Sequence, residues 1–149
     1  MNRNFDFRDL KGHRITNYCR GLYSSDDNDA FYIEVDGDDV YRLTHYQDCC
    51  ESVYLQDISG DMDDLLNEDI LLAEESRRDC SDDEGTLMYT FYRLQTMHGD
   101  VTLRWYGSSN GYYGVGVSFD YVEESDEVLK LRWSKAPQEV NRTHLYDEV

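Results

Sequence analysis

Residues 45–52 (HYQDCCES) form the segment whose residue types are best suited to chemistry. An imidazole, two adjacent thiols and two carboxylates occur within seven positions. If Thr44 caps a short helix, His45 and Cys49 share one face of it. A further thiolate from Cys80 or Cys19 would complete a set of ligands that zinc accepts. The candidate metal ligands, with zinc as the metal, are therefore His45, Cys49, Cys50 and Cys80.

Other features of the same segment argue against chemistry. Zinc sites usually contain two cysteines separated by two to four residues, and this spacing is absent here. A nucleophilic thiolate needs a positive environment, whereas this region is the most negative in the chain. Free cysteines are usually buried. We therefore interpret the segment as a structural joint with buried thiols and a hydrogen-bonded histidine. We predict a protein that is not an enzyme and has no cofactor, and we keep zinc as the alternative.

Negative charge is concentrated in residues 24–84, which contain 21 Asp and Glu residues against three Arg. This segment alone accounts for a charge equal to the net charge of the whole chain, −18. Net charge keeps proteins dispersed, but dispersal does not require the charge to be segregated. We predict that three acidic turns contact a partner. Their carboxylates are Asp26, Asp27, Asp29, Asp36, Asp38, Asp39, Asp61, Asp63 and Asp64.

The charge also restricts the class of partner. Nucleic acids and anionic membranes repel a strongly acidic protein, so we expect no direct binding to either. Cations, basic peptides and protein surfaces that hold phosphates remain. The N-terminus has no signal-peptide pattern, and no apolar run is long enough to span a membrane. We therefore expect a cytoplasmic protein whose four cysteines are reduced thiols.

Hydrophobic alternation predicts how the chain positions these residues. It indicates an α+β fold, mainly an antiparallel sheet of hairpins and a meander with one or two short helices. Residues 30–44 are typical of a hairpin closed by an acidic turn. The predicted elements of the first half are strands at 15–22, 31–35, 40–44, 52–58 and 70–75, a helix at 61–67 and a surface loop at 77–85.

Hydrophobic alternation in the second half of the chain predicts a three-stranded meander across residues 87–122, with strands at 87–96, 101–106 and 112–122. Asn110-Gly111 is a strong hairpin signal. The aromatic residues around this turn fit core packing better than an exposed protein-binding cluster; they are Trp105, Tyr106, Tyr112 and Tyr113. We predict a single domain over 1–149, with a loose N-terminal arm (1–11), an added edge strand (128–133) and a fraying tail (137–149).

Two motifs carry a resemblance to a known family. Residues 44–54, which include HYQDCCES, and residues 101–113, which include RWYGSSNGYY, resemble a family of small acidic bacteriophage and prophage proteins of unknown function. The likeness extends over roughly residues 40–122. It implies a phage setting and the cytosol of a bacterial host, and it assigns no role to any residue.

These observations together predict a non-enzymatic phage protein that binds and inhibits a host defence protein. Nucleic-acid-handling enzymes carry basic grooves that neutralise phosphates, and rows of carboxylates are suited to occupy such a groove as a DNA mimic. A Cas effector or a restriction nuclease is the expected partner, which makes the protein an anti-CRISPR or anti-restriction inhibitor. The alternatives are a zinc-binding domain around His45, Cys49 and Cys50, and a phage interaction or assembly module, compatible with a homo-oligomer, whose acidity is merely solvating.

Overall fold

The computed structural model describes residues 4–23 and 28–123. In these ranges, eight strands form two four-stranded antiparallel sheets, and two 3-10 helices span Phe7–Leu10 and Met62–Leu65. The strands are β1 (Ile15–Tyr23), β2 (Asn28–Val35), β3 (Asp39–Thr44), β4 (Ser52–Ser59), β5 (Leu72–Asp79), β6 (Thr86–Gln95), β7 (Asp100–Ser109) and β8 (Ser118–Val122).

The first sheet has the strand order β1-β2-β3-β8. A three-residue turn joins β2 to β3, because Val35 pairs with Asp39. Asp36 and Gly37 in this turn have positive φ angles of 56° and 75°. Glycine adopts such angles without steric cost, and aspartate is one of the few other residues that does so readily. The predicted hairpin over 30–44 is therefore confirmed, with its acidic residues in the turn.

The second sheet has the order β4-β7-β6-β5. Strands β5, β6 and β7 form a meander, and β4 pairs with the free side of β7. A bulge between Leu55 and Asp57 leaves Gln56 without a partner in the register of β4 and β7. The side chains of Gln56 and Asp57 are both exposed as a result.

One hydrophobic core lies between the two sheets. Phe31, Ile33 and Leu43 of the first sheet and Leu103 and Trp105 of the second belong to the same buried cluster. Trp105 is only 1% exposed, and burial of such side chains is the main stabilising contribution to the fold. The opposite face of the first sheet is also buried, through a second cluster around Cys19, Tyr32 and Val40. The second sheet, in contrast, has one exposed face.

The mainly antiparallel sheet is confirmed, but the predicted α+β class is not. In place of the helix predicted over 61–67, the structure has a single 3-10 turn, Met62–Leu65. Asp61 caps its start by accepting a hydrogen bond from the backbone N–H of Asp63. Asn67, with a φ of 62°, follows the turn and redirects the chain before a longer helix forms. Within the described residues, the protein is therefore a β protein with two short 3-10 helices.

The predicted meander over 87–122 is wrong in its third strand. Residues 112–117 lie outside the strands, and β8 pairs with β3 of the other sheet. Val115 packs so closely on Gly107 that a Cβ at Gly107 would lie 2.8 Å from the Cβ of Val115. The glycine therefore lets this segment cross from one sheet to the other. The loop predicted at 77–85 is also too long, because β5 continues to Asp79 by pairing with β6.

The predicted loose arm at 1–11 packs into the core where it is described. Phe7 and Leu10, three residues apart, point from the first 3-10 helix into the main hydrophobic cluster. The ring of Phe7 lies 4.8 Å from that of Tyr92. The edge strand predicted at 128–133 and the tail at 137–149 lie outside the described residues. Neither 3-10 helix in the described ranges has the length or the apolar run that crossing a membrane requires.

Candidate protein-binding surface

The loop at residues 45–51, which follows β3, is built around a buried contact between His45 and Glu51. Nε2 of His45 lies 2.7 Å from Oε2 of Glu51, and Nδ1 lies 2.6 Å from the carbonyl oxygen of Gly116. Each nitrogen of the ring therefore lies within hydrogen-bond distance of an oxygen acceptor, a carboxylate on one side and a carbonyl on the other. The carboxylate of Glu51 is completely buried and the ring of His45 nearly so.

Glu51 also holds the backbone of this loop. Its carboxylate accepts hydrogen bonds from the backbone N–H groups of Asp48 (2.8 Å) and Cys49 (3.0 Å). Burial by itself would raise the pKa of Glu51. The hydrogen bonds from Cys49, His45 and Asp48 outweigh burial and lower the pKa to about 2. The predicted structural joint is therefore organised by a carboxylate that stays ionised at neutral pH.

The four predicted metal ligands are not brought together as a site. Both ring nitrogens of His45 are already hydrogen-bonded, and Cys49 and Cys50 are joined to each other in an exposed disulfide. Cys80 is a free, exposed thiol beyond the end of β5. Over residues 4–23 and 28–123, no group of three or more His, Cys, Asp and Glu side chains is arranged to hold a metal ion.

The prediction of reduced, buried thiols is correct only in part. Cys19 is a free, buried thiol, as predicted. For Cys49 and Cys50 the prediction is wrong both in redox state and in burial, because the two residues form a disulfide and lie on the surface. The sequence gives no signal for this pairing. The exposed position follows from the loop, whose anchoring group is Glu51 rather than either sulfur.

Asp29, one of the predicted partner-binding residues, has a structural role instead. Its carboxylate forms an ion pair with Arg20 (3.2 Å) and accepts the backbone N–H of Leu55 (2.9 Å). Arg20 in turn donates to the carbonyl oxygen of Leu55 (2.6 Å). Asp29 thus links the first sheet to β4 of the second, and its side chain is only 17% exposed. Asp26 and Asp27 lie outside the described residues.

The other six predicted carboxylates lie at one end of the molecule. Ile15, the first residue of β1, pairs with Val35 on one side and bridges to Leu66 on the other. The turn after β2 and the second 3-10 helix therefore flank the same strand end. We call this region the acidic end; its carboxylates are Asp36, Asp38, Asp39, Asp61, Asp63, Asp64, Glu68 and Asp69.

Some carboxylates of the acidic end are held by cationic side chains. Asp36 contacts the ring of His13 and accepts the backbone N–H of Arg14 (3.0 Å). Slight burial would raise the pKa of Asp36, but these contacts with His13 and Arg14 lower it overall. Such contacts fix the turn. The ion pairs at this end are His13–Asp36 (2.6 Å), Arg14–Asp69 (2.8 Å) and His98–Glu68 (3.4 Å).

Four carboxylates of the acidic end form no ion pair within the described part of the chain: Asp38, Asp39, Asp61 and Asp64. Three of them are exposed, and Asp39 is half-buried. Like charges that are close together and unpaired repel one another, which opposes folding. These four side chains are therefore free to meet cations from outside the molecule.

The outer face of the second sheet carries Tyr106, which the sequence assigned to the core, together with Tyr54 and Tyr89. Ring centroids of Tyr54 and Tyr106 lie 5.1 Å apart, and those of Tyr106 and Tyr89 lie 5.8 Å apart. Trp105, which precedes Tyr106 in β7, is buried, because successive side chains of a strand point to opposite faces of the sheet. Tyr106 and Tyr54 each have a polar residue two positions away, Arg104 and Gln56, which indicates an outer face; Tyr89 has no such signal.

Two arginines on this face have no carboxylate partner. Within the described ranges, neither Arg78 nor Arg104 forms an ion pair, although Arg104 donates from Nε to the side-chain oxygen of Gln56 (2.8 Å). Both border an open depression of about 420 Å³ together with Gln56, Tyr89 and Phe91. The combination of two arginines with aromatic rings distinguishes this face from the acidic end.

Comparison with known proteins identifies a family. Residues 8–119 match the model of a domain of unknown function, DUF7448, and the chain belongs to this family. The match runs from the first 3-10 helix into β8 and so includes both sheets. No curated protein and no solved structure matches the chain. The predicted membership in a family of unknown function is thus supported, while the phage origin stays a prediction.

Proposed function

We propose that this DUF7448 protein is a non-enzymatic phage protein that binds and inhibits a nucleic-acid-handling defence protein of the host. The partner is a Cas effector or a restriction nuclease in the bacterial cytosol. The acidic end enters the basic groove of the partner, and its carboxylates occupy positions that phosphates of DNA otherwise take. The protein acts by blocking this groove and catalyses no reaction.

The observation that carries this proposal is the group of four carboxylates without ion pairs at the acidic end. Asp38 and Asp39 belong to the turn after β2, and Asp61 and Asp64 flank or lie in the second 3-10 helix. Carboxylates and phosphates accept the same charge-assisted hydrogen bonds from Arg and Lys. A surface that presents several of them is therefore complementary to a groove that binds DNA.

Rigid support makes the four carboxylates effective as a binding surface. Contacts of Asp36 with His13 and with the backbone of Arg14 fix the first turn. Asp61 caps the 3-10 helix, and the hydroxyl of Thr96 donates to the carbonyl oxygen of Asp64 (2.8 Å). Pre-ordered groups lose less entropy on binding than mobile ones. The net charge of −18 adds long-range steering, which accelerates association with a basic partner at low salt.

A paired set of variants tests the proposal. The acidic-end variant replaces the four carboxylates by amides: Asp38→Asn, Asp39→Asn, Asp61→Asn and Asp64→Asn. The control variant removes the same number of charges from the exposed turn between β5 and β6, at the opposite end: Asp79→Asn, Asp82→Asn, Asp83→Asn and Glu84→Gln. Wild type and both variants are immobilised, lysate of a bacterial host is passed over each, and bound proteins are eluted with salt and identified.

We expect wild type and the control variant to retain the same nucleic-acid-binding protein, and the acidic-end variant to lose it. The control variant keeps the charges of the acidic end, so the salt concentration that elutes the partner from it should be nearly the same as for wild type. Equal capture by the two variants would show that total charge, rather than this end, is responsible. Capture of no nucleic-acid-binding protein by wild type would reject the proposal altogether.

A further inference from the structure

Two rows of exposed and half-buried side chains run across all four strands on the outer face of the second sheet. The strand registers align Tyr54, Tyr106, Tyr89 and Arg78 in the first row. They align Asp57, Arg104, Phe91 and Ser76 in the second row. We call these two rows the tyrosine face. Both rows begin on β4 and end on β5, the two edge strands of the sheet.

The composition of the tyrosine face differs from that of the chain as a whole. Its eight residues include four aromatic side chains and two arginines, and Asp57 at the β4 edge is its single carboxylate. Tyrosine and arginine are the residues most enriched in binding hot spots, and acidic residues are depleted from interface cores. Two copies of a protein with a net charge of −18 repel each other least where carboxylates are fewest.

We propose that the tyrosine face binds a second copy of this chain, forming a symmetric dimer. Its two-fold axis runs parallel to the strands, between β6 and β7. Rotation about this axis lays β4 of one copy over β5 of the other, and β7 over β6. Each row then faces the same row of the partner copy, as an isologous interface requires.

This arrangement places complementary side chains opposite one another, each pair occurring twice. Arginine guanidinium groups stack favourably on aromatic rings, and aromatic rings pair favourably with each other. Asp57 also comes to lie one row away from Arg78 of the other copy. The facing pairs between the two copies are Arg78 on Tyr54, Arg104 on Phe91, Tyr106 on Tyr89 and Asp57 on Ser76.

The alternative axis, which runs across the strands, gives poorer complementarity. It would lay β4 over β4 and exchange the two rows, so that Asp57 would face the ring of Tyr54. Arg78 would then face Ser76, which leaves Arg104, opposite Tyr106, as the one arginine of the face that stacks on an aromatic ring. The axis parallel to the strands is therefore the one the side chains favour.

The size of the face is compatible with a reversible dimer. The tyrosine face is part of the outer face of the second sheet, whose next row contains Ser59, Thr102, Arg93 and Glu74. Four strands spaced about 4.8 Å apart and about eight residues long give this whole outer face roughly 500 Å² in projection. Two such faces bury about 1,000 Å², near the lower limit for specific interfaces. The axis also leaves the acidic ends of both copies on the same side of the dimer. The shared orientation of the two acidic ends bears on the proposed function, whereas the dimer itself does not depend on the proposed function.

Sedimentation velocity tests the dimer with the purified chain alone, from about 1 µM to about 1 mM. We expect wild type to change from monomer to dimer within this range. Arg78→Glu and Tyr106→Ala should each raise the dissociation constant about tenfold or more, as hot-spot substitutions do. Arg77→Glu is the matched control, because Arg77 is the neighbour of Arg78 on β5 but pairs opposite buried Thr90 and so faces the other way.

A reciprocal exchange of charge tests the position of the axis. Asp57 and Arg78 lie on opposite edges of the sheet within one copy, and only the proposed axis brings them close between copies. The double variant Asp57→Arg with Arg78→Glu should therefore recover most of the affinity that Arg78→Glu loses. Circular dichroism with thermal unfolding verifies that every variant is folded, so that loss of dimer is not loss of structure.

Three results would overturn this proposal. The first is a wild-type chain that stays monomeric up to about 1 mM. The second is a dimer that Arg78→Glu and Tyr106→Ala leave unchanged, because the contact would then lie elsewhere. The third is equal weakening by Arg77→Glu, which would indicate a general effect of charge. None of these results depends on a host partner, so they are independent of the test of the acidic end.

Discussion

The acidic end and the loop at residues 45–51 lie at opposite ends of the molecule and use carboxylates in opposite ways. Strand β3 joins them, since it begins at Asp39 and ends at Thr44. At the acidic end, Asp38 and Asp61 are exposed and form no ion pair within the described residues. In the loop, Glu51 is completely buried and receives three hydrogen bonds. The donors around a carboxylate, rather than the local density of acidic residues, decide its role.

The largest expected effect is on the loop. We expect Glu51→Gln to lower the free energy of unfolding by about 3 kcal/mol, because it replaces a buried carboxylate that accepts hydrogen bonds from His45 and two backbone N–H groups by an amide that cannot accept them all. Urea unfolding at neutral pH measures this change. Glu84→Gln, an identical change at an exposed site, is the control and should cost less than about 0.5 kcal/mol. A loss below about 1 kcal/mol for Glu51→Gln would contradict the structural role.

The second effect concerns Asp29, which resembles Glu51 more than the acidic end. We expect Asp29→Asn to cost about 2 kcal/mol, because Arg20 loses its charged partner in a mostly buried position between the sheets. Thermal unfolding of this variant is compared with that of Asp38→Asn, which changes the same residue type where no donor is present. If both variants melt at the same temperature, Asp29 does not link the two sheets.

The pH dependence of stability provides a third test. The pKa of Glu51 is about 2 in the folded protein and near its ordinary value, 4.5, when unfolded. A lowered pKa stabilises the fold above pH 4.5, and this stabilisation is lost as the pH falls from 4.5 towards 2. Urea unfolding between pH 6 and pH 2 should therefore show a shallower decline for Glu51→Gln than for wild type. Parallel declines would mean that Glu51 is not the group responsible.

The smallest effect is expected at the acidic end. Replacing Asp38, Asp39, Asp61 and Asp64 by Asn should change the free energy of unfolding by no more than about 0.5 kcal/mol, or raise it slightly, because repulsion decreases. Asparagine caps a helix start as well as aspartate does, so the role of Asp61 is preserved. Urea unfolding measures this value. A loss of 2 kcal/mol or more would give these carboxylates a structural role and remove the contrast with Glu51.

Local features of the fold were predictable from the sequence, and long-range features were not. Alternation in residues 30–44 and a short acidic turn specify the hairpin of β2 and β3, because pairing and turn are close in sequence. No local pattern indicates that β8 joins β3, about 75 residues earlier, instead of β7.

The candidate sites show the same limit. His45 and Glu51 are six residues apart, yet their burial depends on Gly116, which is 71 residues from His45. The sequence predicted a structural joint with a hydrogen-bonded histidine in this segment, but it gave no role to Glu51. Along β7, Trp105 and Tyr106 are equally aromatic, so composition does not tell the buried ring from the exposed one. Only the pairing of β7 with its neighbours assigns each ring to a face.

The central claim is that the acidic end is a binding surface that competes with DNA. The most direct measurement is a competition titration, in which the captured host protein binds fluorescent duplex DNA and each version of the chain displaces it. We predict that wild type and the control variant displace DNA at similar concentrations, and that the acidic-end variant needs at least about tenfold more. Equal displacement by both variants, or no displacement by wild type, would contradict the claim.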